Sequence, residues 1–514
     1  MIPVIEKRDG EWVFLVDGKR FMMLAGELHN SSSSDIRYME ERVWSYLREL
    51  HLNSLLLSVA WEMIEPEEGK FDFYVINEII RQARREKVKL GILWFGLWKN
   101  GISSYVPEWV KTDQNRFWRV RDRYGKMLDV VSPIGEEAVQ ADAKAFAALM
   151  ENLRQIDGKE HTVILVQVEN EMGILGSDRD YSEYAEQSYR QIIPSEISEL
   201  YGKTGTWEEA FGEDAPEYFM EYKYALATEQ IAKAGKEIYP LPMITNAWLQ
   251  QFPWRPGSYP SGGPTAEFRK MWKRVAPDII VNAPDVYISD FKKVCEEYAA
   301  EDNPLMVPEH RRDIKHISHL FYAVGKYRAL CFSPFGIEDI LTPPEKLTGI
   351  GNPQVMKMLN IDPAAWKTDK TGEFLKAAYP LLAEMFPLLQ KYWKKQKVQA
   401  FLRSSEHEKG MVLPLDGCEL RIDYMDQAPD TPKSSGIIVE SGDREIYIVG
   451  VNFRYSLMET RNTGESPVIV EYSEGRFEDG KYVRERMLNG DERYCMLQTE
   501  QPVAQRLKWF YLER

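Results

Sequence analysis

Leu165-Val166-Gln167-Val168-Glu169-Asn170-Glu171-Met172-Gly173 is an apolar run that ends abruptly in three polar side chains. Its length and its charged end read as a buried strand. Two carboxylates and an amide at the exit of such a strand are costly unless they are solvated or used. In a regular strand residues 169 and 171 share one face, with Asn170 opposite unless the strand bulges. The Asn-Glu pair alone means little, because Asn77-Glu78 repeats it inside a helical pattern.

Seven further apolar runs flank this one, at Phe21–Leu28, Ser54–Ala60, Lys89–Leu97, Pro242–Trp248, Asp278–Tyr287, Pro304–Pro308 and Ala329–Phe335, and the stretch above forms the fourth strand of eight, Thr162–Val168. Helical periods lie between several of them. Asp35–Leu52 carries Met39, Val43, Leu47 and Leu50 on one stripe, with Ser34 or Asp35 as its cap. Val75–Val88 carries Ile76, Ile79, Ile80 and Ala83, and Glu136–Ile156 has an Ala-rich face. Eight strands alternating with helices predict an α/β fold, a (β/α)8 barrel, whose site lies at the C-terminal strand ends. An N-terminal hairpin precedes it, Trp12–Val16 turning at Asp17-Gly18 into Arg20–Ala25.

Near residue 370 the pattern changes. Phe374–Lys395 reads as an amphipathic helix, kinked or divided at Pro380 and Pro387. Beyond it the period is 2, as in Arg444–Val451 and Pro467–Tyr472. The expected division is a barrel over 1–370, a linking helix over 371–400 and a smaller antiparallel β-sandwich-like domain over 401–514.

Composition narrows the function. With 65 Lys and Arg against 80 Asp and Glu, the 514-residue chain carries −15, against the basic surface that nucleic acid requires. Its 44% hydrophobic content supports a large core, and its four scattered Cys suit a reducing compartment. The start, MIPVIEKRDGEW, lacks an apolar leader core, and no apolar run approaches the ~18 residues of a membrane span. The expectation is a cytoplasmic protein without nucleic-acid or membrane partners, and a homo-oligomer stays open. Seven His form no His-Glu-x-x-His site, and His316 and His319 lack a third ligand, so no metal is expected. Thr348-Gly-Ile-Gly-Asn-Pro353 lacks a strand–helix context, and no Gly-x-Ser-x-Gly elbow occurs. No cofactor is expected.

The seventh strand ends in Pro304-Leu-Met-Val-Pro-Glu-His310, which presents Glu309 at the same barrel face as Glu171. Strands four and seven lie roughly opposite in an eight-stranded barrel, so their glutamates can converge. Glycoside hydrolysis needs two such carboxyls, one protonated and one ionised. Aromatics make up 12% of the chain, and Trp61, Trp98 and Trp248 at strand ends either stack on a sugar or fill the core. His29, Glu62, Asn100 and Glu338 are candidate partners for sugar hydroxyls.

Four stretches resemble the retaining β-galactosidases of glycoside hydrolase family 35. They are FLVDGKRFMMLAGELH (14–29), SVAWEMIEPEEGKFDF (58–73), LVQVENEMG (165–173) and PLMVPEH (304–310). The last resembles a shorter bacterial branch, and so does the β-rich tail. The resemblance implies Glu171 as acid/base and Glu309 as nucleophile. It implies Asn170 as the partner of the sugar 2-hydroxyl, and Tyr287 as a donor to Glu309. Trp61-Glu-Met-Ile-Glu-Pro66 stands where commoner members have Trp-Asn-x-His-Glu-Pro, and Trp98-Lys-Asn-Gly101 where they have Ala-Glu-Trp. The expected function is a retaining exo-β-glycosidase that removes terminal β-D-galactose from a carbohydrate substrate. The same chemistry on a β-glucoside, α-L-arabinoside, β-fucoside or β-glucosaminide stays open, as does a non-catalytic sugar-binding barrel.

Overall fold

A computed structural model describes residues 1–288, 290–342, 362–415, 417–425, 428, 430–459, 466–493 and 500–512. The Gly-rich stretch 348–353 and Cys495 lie outside these residues.

Each of the eight apolar runs overlaps a strand. In chain order they are β1 (Met23–Glu27), β2 (Ser54–Ala60), β3 (Lys89–Lys99), β4 (Val163–Asn170), β5 (Met243–Trp248), β6 (Ile279–Val286), β7 (Met306–His310) and β8 (Cys331–Pro334). They close a barrel in that order, with parallel ladders from β1 through β7. Every residue of β2 and of β4 is buried, which is why these strands read as continuous apolar runs.

Helices α1 (Tyr74–Glu86), α2 (Glu136–Asp157) and α3 (Ala215–Lys236) belong to the same barrel unit. In α1 the expected stripe of Ile76, Ile79, Ile80 and Ala83 is the buried one. Two expectations need correction. The single helix over 35–52 is broken into short helical pieces from Ile36 to Leu50, with a π-type turn at Met39–Trp44. Asp35 still caps it, accepting from the Tyr38 N–H at 2.7 Å. The N-terminal hairpin is a three-stranded meander, Val4–Arg8, Glu11–Val16 and Lys19–Arg20. Its last strand is short because residues from Met23 onward are committed to β1.

The chain packs as two compact units. The first is 1–45, 53–286 and 296–310, and the second is 46–52, 287–295 and 311–514. In the second, α4 runs unbroken from Thr371 to Trp393, so Pro380 and Pro387 do not divide it. Seven residues apart, the two prolines share a face that leans to solvent, where water can take the carbonyls they orphan.

The described residues of the tail form nine strands: β9 (Val398–Leu402), β10 (Gly410–Pro414), β11 (Cys418–Tyr424), β12 (Ser435–Gly442), β13 (Glu445–Val451), β14 (Phe453–Glu459), β15 (Ser466–Glu478), β16 (Lys481–Met487) and β17 (Val503–Leu512). Six pair antiparallel in the order β9-β12-β13-β17-β15-β16, and three in the order β10-β11-β14. The two sheets share one core, including Leu420, Ile422 and Phe453 from the smaller and Ile438, Ile448 and Leu507 from the larger. This is the sandwich that the period-2 pattern predicts. Among the described residues no helix is long and apolar enough to cross a membrane.

Candidate active site

The C-terminal strand ends of the barrel unit gather acids. Glu171 directly follows β4, Asp285 is the penultimate residue of β6, and Glu309 is the penultimate residue of β7. Asp285 and Glu309 sit side by side in the parallel register of β6 and β7. Glu27 ends β1 and is also buried.

Asn246 on β5 joins these elements. Its Oδ1 accepts from the Glu171 backbone N–H at 2.9 Å, and its Nδ2 donates to Asp285 Oδ2 at 2.6 Å. The carboxyls of Asp285 and Glu171 are themselves hydrogen-bonded, which requires a proton between them. Burial, and then the negative charge of Glu309, push the Glu171 carboxyl up to about 7. Burial raises Asp285 well above the usual carboxylate range too, with Glu309, Glu171 and Glu27 adding to it. The cluster therefore holds protons at neutral pH, the state a general acid needs.

Lys99, the last residue of β3, pairs in register with Asn170, the last of β4, and its Nζ donates to Asn170 Oδ1 at 2.8 Å. Asn170 Nδ2 is buried and has no hydrogen-bond partner among the described residues, which leaves its N–H groups for a ligand. Asn100 lies beyond in a left-handed conformation (φ 53°), with a buried Oδ1 that has no hydrogen-bond partner among the described residues.

The strand bulges here. Glu169 and Glu171 both have positive φ, 62° and 42°. The two glutamates consequently do not share a face. Glu171 turns to Asp285, whereas Glu169 turns to Asp142 on α2.

Trp61 and Trp98 are fully buried and offer no ring face for stacking. The indole N–H of Trp61 donates to Glu65 at 2.9 Å and its ring meets Trp109 edge-on; that of Trp98 donates to the Val131 carbonyl at 2.8 Å. Both are core residues because their N–H groups find internal acceptors. Trp248, at the end of β5, is half-buried. Glu62 accepts from Lys111 at 2.7 Å and lines a cavity of about 360 Å³ with Asn30, Ser34 and Tyr105. His29 lies just past β1, its carbonyl accepting from the Ser32 N–H at 3.0 Å. Tyr287 and Glu338 belong to the second unit. There Tyr287 stacks on Trp366 at 5.5 Å, and Glu338 is buried in the turn after β8. His316 is bound through Nδ1 to Asp313 at 2.7 Å, and among the described residues no group of three His, Cys, Asp or Glu side chains is arranged to hold a metal ion.

Lys99, Asn246, Asp285 and Glu27 escaped the sequence reading. Asp285 carries the same signal as Glu309, an acid closing an apolar run. Asn246 follows Thr245 within the otherwise apolar β5, Glu27 closes the apolar β1, and Lys99 is a lone cation after Trp98 at the end of β3.

Residues 13–252 match the model for glycosyl hydrolases family 35, and residues 375–498 match a domain of unknown function, DUF5597. A β-galactosidase of Xanthomonas manihotis is 30% identical over 175 residues, which cover 33% of this chain and 26% of that protein. Beta-galactosidase-1-like protein 3 of Rattus norvegicus is 27% identical over 183 residues, covering 35% and 27% respectively. The match thus spans about a quarter of the length of these relatives. Among solved structures, a β-galactosidase from Bacillus circulans sp. alkalophilus aligns over 95% of this chain and 99% of its own, at 11% identity and a TM-score of 0.49. Over residues 13–252, with Glu171 and Asn170 inside the matched segment, the chain resembles the glycosyl hydrolases of family 35.

Proposed function

We propose that the protein is a glycoside hydrolase, a retaining exo-β-glycosidase that removes terminal β-D-galactose from a carbohydrate. The observation that carries this reading is the coupling of Glu171 to Glu309, one acid after β4 and one on β7, with the first pushed up to about 7. Glu309 attacks the anomeric carbon as the glycosidic bond breaks, and Glu171 gives its proton to the leaving oxygen. Water then attacks the glycosyl-enzyme carbon. Glu171 takes the water proton, and the Glu309 carboxylate leaves. Asn170 Nδ2 donates to the sugar 2-hydroxyl, a bond that strengthens as the oxocarbenium character grows.

The test is nitrophenol release from an aryl β-D-galactoside by the purified protein, with Glu309→Gln as control. Turnover in the wild type alone supports the reading. Equal turnover in both sinks the nucleophile assignment.

A specific observation favours a second glycone. Four acids, Glu27, Glu171, Asp285 and Glu309, interact with one another, while Lys99 is the cation that acts on Glu171. That gathering of carboxyl acceptors suits a sugar bearing an ammonium group, a β-glucosaminide, whose N–H groups they can accept from. Higher kcat/KM on aryl β-glucosaminide than on aryl β-galactoside would establish it. Sugar binding without turnover of any glycoside would point to a non-catalytic barrel.

A further inference from the structure

The proposed chemistry leaves Glu169 unused, yet its carboxyl is fully buried. Its Oε2 accepts from the Trp98 backbone N–H at 2.7 Å and its Oε1 from that of Leu97 at 3.2 Å. The Leu97 N–H is shared with Asp142 Oδ2 at 2.8 Å, and Asp142 Oδ1 accepts from the Trp94 indole at 2.7 Å. The Glu169 and Asp142 carboxyls are hydrogen-bonded to each other, and burial raises both. Two carboxylates this close in a dry site cannot both ionise, so they hold one proton between them.

The ladder explains why acids are placed here. Trp94 pairs with Val168, and the next pair is Lys99 with Asn170. Four residues of β3 therefore face the single residue Glu169 on β4; Phe95 still pairs with Ala60 on β2, whereas the N–H groups of Leu97 and Trp98 lie outside both ladders. The two carboxyls supply acceptors for them. Gly96 lies within the bulge, and a Cβ there would run into both carboxyls and the Trp94 indole. Past the bulge the chain returns to β4. The Asn100 N–H donates to the Asn170 carbonyl at 3.2 Å, the Gly101 N–H to the Glu171 carbonyl at 3.1 Å, and Lys99 Nζ to Asn170 Oδ1 at 2.8 Å.

We propose that Glu169 and Asp142 are positioning residues: their hydrogen-bonded carboxyls hold the β3 bulge at 96–98, and through it residues 99–101 clamp Asn170 and Glu171 in place. Their effect on turnover rests on Glu171 being the acid/base. Their effect on the backbone does not.

The experiment uses the full-length protein with Glu169→Gln, Glu169→Leu and Gly96→Ala. Gln can accept from the bulge and donate to Asp142, as the protonated acid does. Leu can do neither. Hydrogen exchange well below the unfolding temperature reads the clamp directly. Exchange at residues 97–101 is expected to rise at least ~10-fold in Glu169→Leu and to stay near wild type in Glu169→Gln. Turnover of aryl glycosides with progressively poorer leaving groups reads the acid. Glu169→Leu is expected to lose about 100-fold on the poorest leaving group and less than about tenfold on dinitrophenolate, which needs no protonation. Gly96→Ala should reproduce both signatures, and it serves alone if the Leu variant does not fold. Unchanged exchange at 99–101 overturns the proposal, and so does an equal loss across all leaving groups. If the wild type hydrolyses no glycoside, the acid/base reading falls and the exchange result still decides the clamp.

Discussion

Asp285 stands beside Glu309 in the register of two parallel strands, one carboxyl next to another at the floor of the site. Burial, the negative charges of Glu309, Glu171 and Glu27, and the hydrogen bond shared with Glu171 keep Asp285 on the protonated side, against the pull of the Asn246 amide that donates to it. A neutral neighbour leaves the negative charge to Glu309, where a nucleophile needs it.

That relationship makes Asp285 testable. Asp285→Asn keeps a neutral side chain able to donate, and should hold kcat/KM within about tenfold of wild type. Asp285→Ala leaves the Asn246 amide without its acceptor and should cost on the order of 100-fold, the scale of losing one preorganised polar partner. Steady-state kinetics on one aryl glycoside compares the two. Equal losses would show that protonation of Asp285 is irrelevant.

The position of Glu171 sets a pH dependence. Its carboxyl is raised from 4.5 to about 7, so it carries its proton below that pH and loses it above. As general acid it must be protonated, so kcat/KM should fall as pH rises through 7. Glu309 is the second cause of the shift after burial. In Glu309→Gln the Glu171 titration, followed by isotope-edited infrared spectroscopy, should therefore move down. An unchanged midpoint would dissociate the two acids.

The same shift has a cost in stability. A carboxyl raised on folding stabilises below its unfolded pKa and loses that contribution as pH climbs through the folded value. The shift to about 7 corresponds to about 3 kcal/mol. Glu171→Gln should raise Tm relative to wild type more at pH 8 than at pH 5. A pH-independent difference would argue that Glu171 is ionised throughout.

Much of this architecture is legible in the sequence because its signals are local. Apolar runs of 5 to 10 residues mark all eight barrel strands, and the change to period 2 marks the sandwich. Asn170, Glu171 and Glu309 stand out because each closes such a run. The bulge is not legible. A glutamate with φ near 60° has no local preference for that conformation, and what holds Glu169 there is Asp142, 27 residues upstream on another element. Trp61 and Trp98 mislead for a similar reason. Indole rings at strand ends suggest sugar platforms, but Glu65 and the Val131 carbonyl draw both into the core. Pro380 and Pro387 mislead because spacing by seven puts both on the wet side of one helix.

Asn170 offers the most selective chemical test. Its Oδ1 is engaged by Lys99, and its Nδ2 is the donor left over. If that donor meets the sugar 2-hydroxyl, Asn170→Ala should cost on the order of 100- to 1000-fold in kcat/KM on an ordinary glycoside. On the corresponding 2-deoxy glycoside, which lacks the hydroxyl, the same substitution should cost less than about tenfold, because the interaction is already gone. Equal losses on both substrates would mean that Asn170 acts by holding Lys99 rather than by touching the sugar.

Ile448 tests the second unit independently. It is fully buried on the larger sheet, in the core shared with the smaller one. Ile448→Ala should destabilise that unit by about 2–5 kcal/mol, the transfer and cavity cost of a large-to-small change in a packed core. Glu27, Glu171, Asp285 and Glu309 all lie in the first unit. Turnover at a temperature where the variant is still folded should therefore match wild type, while calorimetry shows a lowered transition. A variant that stays fully folded yet loses turnover would tie the sandwich core to the chemistry of the barrel.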